Sequence, residues 1–466
     1  MEGYHFIMYK INFNAPVHVH FLGIGGISMS GLAEVLLKEG FQISGSDLTE
    51  TPLTSRLSLL GAHVFYEQVA SNLSKDIDVA VYTAAIKSDN EELLEVKRLG
   101  IPLLSRAELL GQLMTNYQTP IAVSGTHGKT TTTSMLAHVL LQGNTDPTIS
   151  VGGLLKKIGG NIRVGNSDVF LTEACEYTNS FLSLLPKIEV ILNVEEDHLD
   201  FFKDLDDILS SFHQFASLLP RDGYLVIDGN IKNIDKITKD LNCNIITYGI
   251  QGDNDYNARN ISYAECGSVS FDLYKKQVLI SRIDLSVPGE HNVSNALAAI
   301  ATADLLGLSI EVICLGLKSF SGTARRFEYK GEKDGVVIID DYAHHPTEIH
   351  ATLMAAQNYP HREIWCIFQP HTYTRTKAFF DDFVDALSLA DHVILANIYA
   401  ARETDTLGVS SKQLMQVLRE KNCDAYYFDS FEKIENFAKE NCKKGDMLIT
   451  MGAGNVVNIG HAILDA

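Results

Sequence analysis

Short runs of continuous apolar residues recur along the chain, and helix-period segments follow most of them. Residues 17–22, 78–82, 121–123, 169–172, 190–193, 223–227, 335–339, 363–368, 392–396 and 447–450 have the length and texture of buried strands. Amphipathic or alanine-rich helices are predicted over 30–40, 90–99, 105–113, 131–141, 207–219, 296–306 and 347–356. Gly40 is a natural stop for the first. Ser105, with Glu108 three residues on, has the spacing of a capping box. Strand and helix alternate in the manner of parallel, doubly wound sheets, which carry their functional loops at the carboxyl ends of the strands. The texture changes over 243–285. Short alternating runs there (Val269, Phe271, Leu273; Ile280, Ile283, Leu285) predict an antiparallel extension.

The polar stretch 115–119 before Pro120 reads as a linker, and the basic turn 322–327 as a hinge. The expected architecture is therefore α/β with three domains. Residues 1–118 form a Rossmann-like domain, 119–322 a central P-loop ATPase-type parallel sheet with the antiparallel extension, and 323–466 a second Rossmann-like domain. A length of 466 residues agrees, at roughly 100–200 residues per domain.

Composition narrows the partners. A net charge of −20 with no basic run argues against nucleic acid or an anionic membrane surface. An anionic substrate must then be held by local basic groups and backbone amides. Seven scattered cysteines without a CxxC read as reduced thiols of a cytoplasmic protein. The first residues lack a signal-peptide core, and no apolar run of about 18 residues predicts a transmembrane helix.

The chemistry centres on IAVSGTHGKTTTT, residues 121–133, a phosphate loop two residues shorter than the common GxxxxGK[ST] form. Gly125, Thr126, His127, Gly128, Lys129, Thr130 and Thr131 form the turn and the helix start. Backbone N–H groups there offer an anion site, Lys129 is placed for phosphates and the Thr130 hydroxyl for Mg²⁺. Glu173, at the end of a neighbouring strand, stands where a Mg²⁺ ligand belongs; Cys175 beside it reads as packing. His198 follows the next strand and suggests a second metal position, with Asp197 orienting it.

The loop HFLGIGGISMSG, with Gly25, Gly26 and Ser28, followed by Ser46-Asp47, suits a pyrophosphate. A dinucleotide or a UDP-sugar would fit it equally. Asn292 and Asn295 are either helix caps or, for Asn295, an amide for an adenine edge. Arg325 and Arg326 are either transition-state charge or a solvated turn. His392, with no histidine near it, reads as structural.

SGTHGKTTT, GEHNVSNALAA and DDYAHHP, with HFLGIGGISMSG and FQPHTYTRT, closely resemble the Mur ligase family over essentially the whole chain. GTHGKT alone would also fit folylpolyglutamate synthetases. HFLGIGGISMSG and DDYAHHP resemble the members that act on UDP-N-acetylmuramate, including a murein-tripeptide recycling ligase. The resemblance implies an ATP- and Mg²⁺-dependent amide ligase of cell-wall synthesis. It would join L-alanine to the carboxylate of UDP-N-acetylmuramate through an acyl phosphate, as a monomer or homodimer. Lys129 would hold phosphates, Thr130 and Glu173 one Mg²⁺, and His198 a second. His291 and Asn295 would meet adenine, and Arg326 and Asp341 the triphosphate and ribose. Gly25, Gly26, Ser28, Ser46, Asp47, Thr83, Ser105 and Arg106 would line the UDP-substrate site. His344, His371, Tyr342 and Arg375 would surround the alanine and the acyl group, with His344 or His371 accepting a proton. Thr372 departs from the family, many members of which carry arginine there, leaving Arg375 to hold the alanine carboxylate. A nicotinamide dehydrogenase would leave Lys129 and Glu173 unexplained. A nucleotide sensor without catalysis would leave His198 and DDYAHHP unexplained.

Overall fold

The computed structural model describes residues 9–83, 85–264, 267–401, 403–405 and 407–465. The leader reading of residues 1–8, Ala84 and Cys266 lie outside them. The remaining six cysteines are free thiols.

Three sheets follow one another along the chain. The first contains β1 (His18–Leu22), β2 (Gln42–Ser46), β3 (His63–Phe65), β4 (Val79–Tyr82) and β5 (Leu103–Ser105) in the order β3-β2-β1-β4-β5. Every neighbouring pair is parallel. The expected Ser105 capping box is present, with Ser105 Oγ accepting from the Glu108 N–H at 3.2 Å and Glu108 accepting from the Ser105 N–H at 2.6 Å.

The central sheet has ten strands. These are β6 (Thr119–Ser124), β7 (Thr148–Leu155), β8 (Gly160–Arg163), β9 (Val169–Glu173), β10 (Ile188–Ile191), β11 (Tyr224–Asp228), β12 (Asn244–Gly249), β13 (Tyr256–Tyr263), β14 (Ser268–Lys275) and β15 (Val278–Pro288). Their order is β15-β14-β13-β12-β11-β10-β6-β9-β7-β8. The sequence reading needs two corrections here. The hairpin β7–β8 lies outside the strands expected from sequence, because Gly152 and Gly153 interrupt its first strand and the second is only four residues long. The antiparallel extension also starts later than 243, since β12 and β13 still pair parallel and, within the extension, only β13–β14–β15 run antiparallel. The third sheet contains β16 (Glu328–Lys333), β17 (Val336–Asp341), β18 (Ile364–Phe368), β19 (His392–Leu395), β20 (Asp424–Tyr427) and β21 (Met447–Met451), ordered β16-β17-β21-β18-β19-β20. Only β16 is antiparallel to its neighbour. His392 is structural, as expected: its ring stacks on Trp365 at 3.8 Å and bonds Asp424 at 2.6 Å.

The cores explain how the first two sheets are held together. One apolar cluster runs without a break from Val19, Phe21 and Leu110 to Phe181, Phe212 and Phe215. The two layers meet where the helix Arg106–Met114 crosses the turn Tyr177–Ser183. A Cβ on Gly111 would lie 1.8 Å from the Ser183 carbonyl oxygen, so only glycine permits this approach. The other face of the central sheet is covered by helices Lys129–Gln142, His291–Leu305 and Ile310–Ser319.

One core position departs from this logic. Glu189 on β10 is fully buried and neither of its carboxylate oxygens has a hydrogen-bond partner. Burial pushes its carboxyl well above the ordinary range. The unfolded chain therefore ionises from about pH 4.5 upward while the folded chain keeps the proton, and stability falls as pH rises through that window. Glu189→Leu is expected to raise the unfolding midpoint, on the order of 1–3 kcal/mol of stability, with a larger gain at pH 8 than at pH 5. Thermal melts at the two pH values measure it, and an equal or lower midpoint at pH 8 contradicts it.

Candidate active site between the phosphate loop and the third sheet

β6 delivers the chain to the phosphate loop, and the helix Lys129–Gln142 begins straight after Gly128. Gly128 has φ 84° and a Cβ there would stand 2.6 Å from Asn295 Oδ1, so the loop backbone lies directly against the helix His291–Leu305. Asn193, just past β10, holds the loop from below. Its Oδ1 accepts the His127 N–H at 2.7 Å and its Nδ2 donates to the His127 carbonyl at 3.1 Å.

The Lys129 ammonium donates to the Gly125 and Thr126 carbonyls and to both oxygens of Glu176, at 2.9 and 3.1 Å. Burial favours loss of its proton, but Glu176 outweighs this and the amine stays charged. Thr130 Oγ1 donates to Glu173 at 3.0 Å, and the Gly152 N–H donates to the same carboxylate at 2.5 Å. A Cβ on Gly152 would come within 2.8 Å of the Glu173 carboxylate, so the backbone there lies directly against it. Hydroxyl and carboxylate thus face each other as an oxygen donor pair suited to a hard cation. His198 adopts φ 53°, with Nε2 3.7 Å from Glu176 and its ring 4.5 Å from Tyr177. Burial lowers its pKa, leaving the neutral imidazole that a metal ligand requires.

A cavity of about 520 Å³ opens between the phosphate loop, the helix His291–Leu305 and the third sheet. His127, Gly128, Thr131, His291, Asn295, Arg326 and Asp341 all line it. The helix starts at His291, five residues before the expected boundary, so Asn295 is inside it and neither asparagine is its cap. Asn295 instead accepts from Thr132 Oγ1 at 3.2 Å and donates to Asn292 Oδ1 at 3.1 Å. Burial, reinforced by Arg326, holds the His291 ring down at about 4. Asp341 accepts from the Phe327 and Ala343 N–H groups and from Thr352. Burial pushes its carboxyl up to about 6 against the pull of Arg326.

The paired arginines divide their work. Arg325 is bonded to buried Asp340 at 3.0 Å and to the Gly452 carbonyl at 2.7 Å. Arg326 alone lines the cavity.

Glu348, absent from the sequence expectations, ties this region together. Its Oε1 lies 3.3 Å from His127 Nδ1 and 3.4 Å from Arg326, and its Oε2 accepts the His344 N–H at 3.1 Å. Burial opposes its ionisation, but His344, His127 and Arg326 hold the carboxyl well below the usual range. His127 also faces Glu195 at 3.6 Å. Burial works against its proton too, yet the two carboxylates hold the ring at about 9.

A second cavity, about 290 Å³, is lined by Asp197, His198, His371, Thr372 and Arg375. Arg375 reaches across to Asp197 with bonds of 2.8 and 3.2 Å and lies 3.2 Å from His371 Nδ1. The ring centres of His344 and His371 are 5.7 Å apart, and burial holds both rings down at about 4. Thr372 has φ 66° at the start of a short helix.

A third cavity, about 230 Å³, joins Ser28 and Arg106 of the first sheet's domain to Glu173. Arg106 donates to Ser28 Oγ at 3.1 Å. The Gly25 N–H donates to Asp47 at 2.8 Å, and the Thr83 methyl packs 3.2 Å from where a Cβ on Gly23 would be. Gly26 immediately precedes the helix Ile27–Lys38. Two residues of the expected set are engaged elsewhere: the Ser46 hydroxyl donates to buried Glu92, and the Ser105 hydroxyl caps its helix.

A short phosphate loop backed by an acid–hydroxyl pair, at the junction of three α/β sheets, defines a nucleotide-dependent enzyme of three-domain build. Family comparisons carry this further. The Mur ligase catalytic-domain family matches residues 18–118, the Mur ligase middle domain residues 123–303, and the Mur ligase glutamate ligase domain residues 325–454. The chain belongs to the Mur ligase family. It is 57% identical to a UDP-N-acetylmuramate–L-alanine ligase of Agathobacter rectalis, over 98% of this chain and all of that one. Its fold is similar to the UDP-N-acetylmuramate–alanine ligase MurC of Thermotoga maritima, with TM-score 0.80 and 28% identity over 96% and 98% of the two chains. A murein peptide ligase of Psychrobacter arcticus aligns with TM-score 0.70 and 26% identity over 96% and 98%.

The His127 imidazolium adds stability below about pH 6.5, and this contribution is lost as pH rises through about 9. Nuclear magnetic resonance of the ring is expected to show that high titration. In Glu348→Gln the midpoint should move down toward the ordinary histidine range. An unchanged midpoint contradicts the Glu348 pairing.

Proposed function

We infer that this chain joins L-alanine to the carboxylate of UDP-N-acetylmuramate with cleavage of ATP, in peptidoglycan precursor synthesis. One observation carries the reading: the phosphate loop, His291, Asn295, Arg326 and Asp341 line a single cavity. The 57% identity to an alanine ligase favours L-alanine over the tripeptide of a recycling enzyme. The domains are 1–118 for the UDP-substrate, 119–322 for ATP and 323–466 for the amino acid. The six described cysteines are free thiols, in keeping with a cytoplasmic enzyme. Among the described residues no helix is long and apolar enough to cross a membrane.

Each cavity has its part. Gly25, Gly26, Ser28 and Arg106 receive the UDP diphosphate, and the passage to Glu173 brings the muramyl carboxylate to the phosphate loop. His291 and Asn295 take the adenine, Asp341 the ribose and Arg326 the triphosphate, with Lys129 next to Gly128 at the head of the loop helix. Thr130 with Glu173 would hold one Mg²⁺, and His198, beside Glu176, a second. Bound Mg²⁺ supplies positive charge to the phosphate oxygens.

Phosphoryl transfer to the muramyl carboxylate gives an acyl phosphate. The alanine amine then attacks its carbonyl carbon, and phosphate leaves. Little covalent work falls to the protein, and positioning and charge do the rest. Lys129 and Arg326 are already charged and need only exchange Glu176 and Glu348 for phosphate oxygens. Arg375 takes the alanine carboxylate alone, with Thr372 beside it, and Asp197 holds its guanidinium. His344 and His371 are unprotonated at neutral pH, and one of the two accepts the proton that the attacking nitrogen loses as charge develops on it.

Phosphate release is expected only when ATP, Mg²⁺, UDP-N-acetylmuramate and L-alanine are all present. Release with a tripeptide and none with L-alanine would instead identify a recycling ligase. Lys129→Ala is expected to lower kcat roughly 10²–10³-fold, the scale of losing one transition-state donor. Arg375→Ala should raise KM for L-alanine while leaving KM for ATP near its starting value. Equal changes in both would remove Arg375 from the alanine site.

A further inference from the structure

Three side chains outside the Mg²⁺ positions converge beside the phosphate loop. One nitrogen each of His127 and His345 and one oxygen of Glu195 lie within 4.8 Å of one another. They come from three different segments: the phosphate loop, the chain after β10, and the start of the helix Pro346–Gln357. Their rings face each other with centres 4.7 Å apart.

The surrounding hydrogen bonds are those of a ligand set. His127 points Nδ1 at Glu348, 3.3 Å away, while its buried Nε2 has no hydrogen-bond partner and faces Glu195 at 3.6 Å. His345 donates Nε2–H to the Glu196 carbonyl at 3.1 Å, which leaves Nδ1 as its ligand atom. That atom now accepts only a long 3.3 Å bond from the Thr347 N–H. Glu195 is itself oriented by the Thr347 hydroxyl at 2.7 Å. Metal-bound histidines characteristically give their other N–H to a carboxylate or a backbone carbonyl; His345 does so toward Glu196, and His127 Nδ1 faces the Glu348 carboxylate, so a metal ion would take the place of the Nε2 proton of the His127 imidazolium. His127 and Glu195 also line the largest of the three cavities, so the site has an entry path.

We propose that His127, Glu195 and His345 form a third metal site, which takes a borderline transition-metal ion such as Zn²⁺ rather than Mg²⁺. Two imidazoles and one carboxylate favour such an ion, whereas Mg²⁺ prefers all-oxygen shells. A fourth position is left to water from the cavity. Glu195 and His127 belong to the central sheet's domain and His345 to the third, so the ion ties the phosphate loop to the third domain.

The test is a titration of the full chain with Zn²⁺ against a chromophoric chelator, in excess Mg²⁺. Wild type is expected to bind one equivalent. Glu195→Gln and His345→Gln should each weaken binding about tenfold or more, and His198→Gln should not. Equal affinity in wild type and both variants overturns the proposal, as does loss in His198→Gln alone. Melts without metal check that each variant folds. X-ray absorption on the Co²⁺-loaded wild type needs no variant: two imidazole ligands are expected, and a shell of oxygen alone overturns the assignment.

Discussion

The site depends on buried positive charge that is already neutralised. Lys129, Arg326 and His127 are part-buried cations around the phosphate loop, and each faces a carboxylate: Glu176, Glu348, and Glu195 with Glu348. Removing one partner of such a pair leaves a buried charge that costs about 3–5 kcal/mol, so the carboxylates keep the cations in place. On the proposed function, phosphate oxygens would replace one anion by another. The exchange avoids gathering positive charge in an apolar cleft, and it suits a protein whose net charge of −20 repels nucleotides at long range.

The same logic explains why one short segment after β10 has so many partners. Asn193 braces the phosphate loop, Glu195 faces His127, the Glu196 carbonyl accepts from His345, and Asp197 holds Arg375. His198 then turns back toward Glu176 with φ 53°. Neighbouring residues thus reach the phosphate loop, the third sheet and the proposed second Mg²⁺ position. A parallel strand end makes this possible, because its loop lies at the carboxyl edge where neighbouring loops also emerge. In the third domain Glu348 plays the matching part, one turn into the helix that follows β17.

Much of this was legible in the sequence, for physical reasons. Parallel strands buried on both faces are continuous apolar runs, so β1, β4, β6, β10, β18 and β21 stood out. The phosphate loop, Glu173 and His198 were legible because glycines, an acid and a histidine at strand ends have few structural uses there. Glu176 and Glu348 were not, since an acid in a loop three residues past a strand, or in a first helical turn, is ordinary by sequence. Only the fold brings Glu348 against His127 and Arg326. Ser46 and Ser105 were drawn toward the substrate loop by position, yet one donates to buried Glu92 and the other caps a helix. The hairpin β7–β8 was hidden because Gly152 and Gly153 interrupt the first strand and the second is only four residues long.

The central claim is that this junction activates a carboxylate by phosphorylating it for attack by L-alanine. It is tested most directly with UDP-N-acetylmuramate carrying ¹⁸O in its carboxylate. The account predicts that one labelled oxygen appears in the phosphate released during turnover with ATP and L-alanine, and that the product gains an alanyl amide. Turnover that leaves the phosphate unlabelled would contradict it.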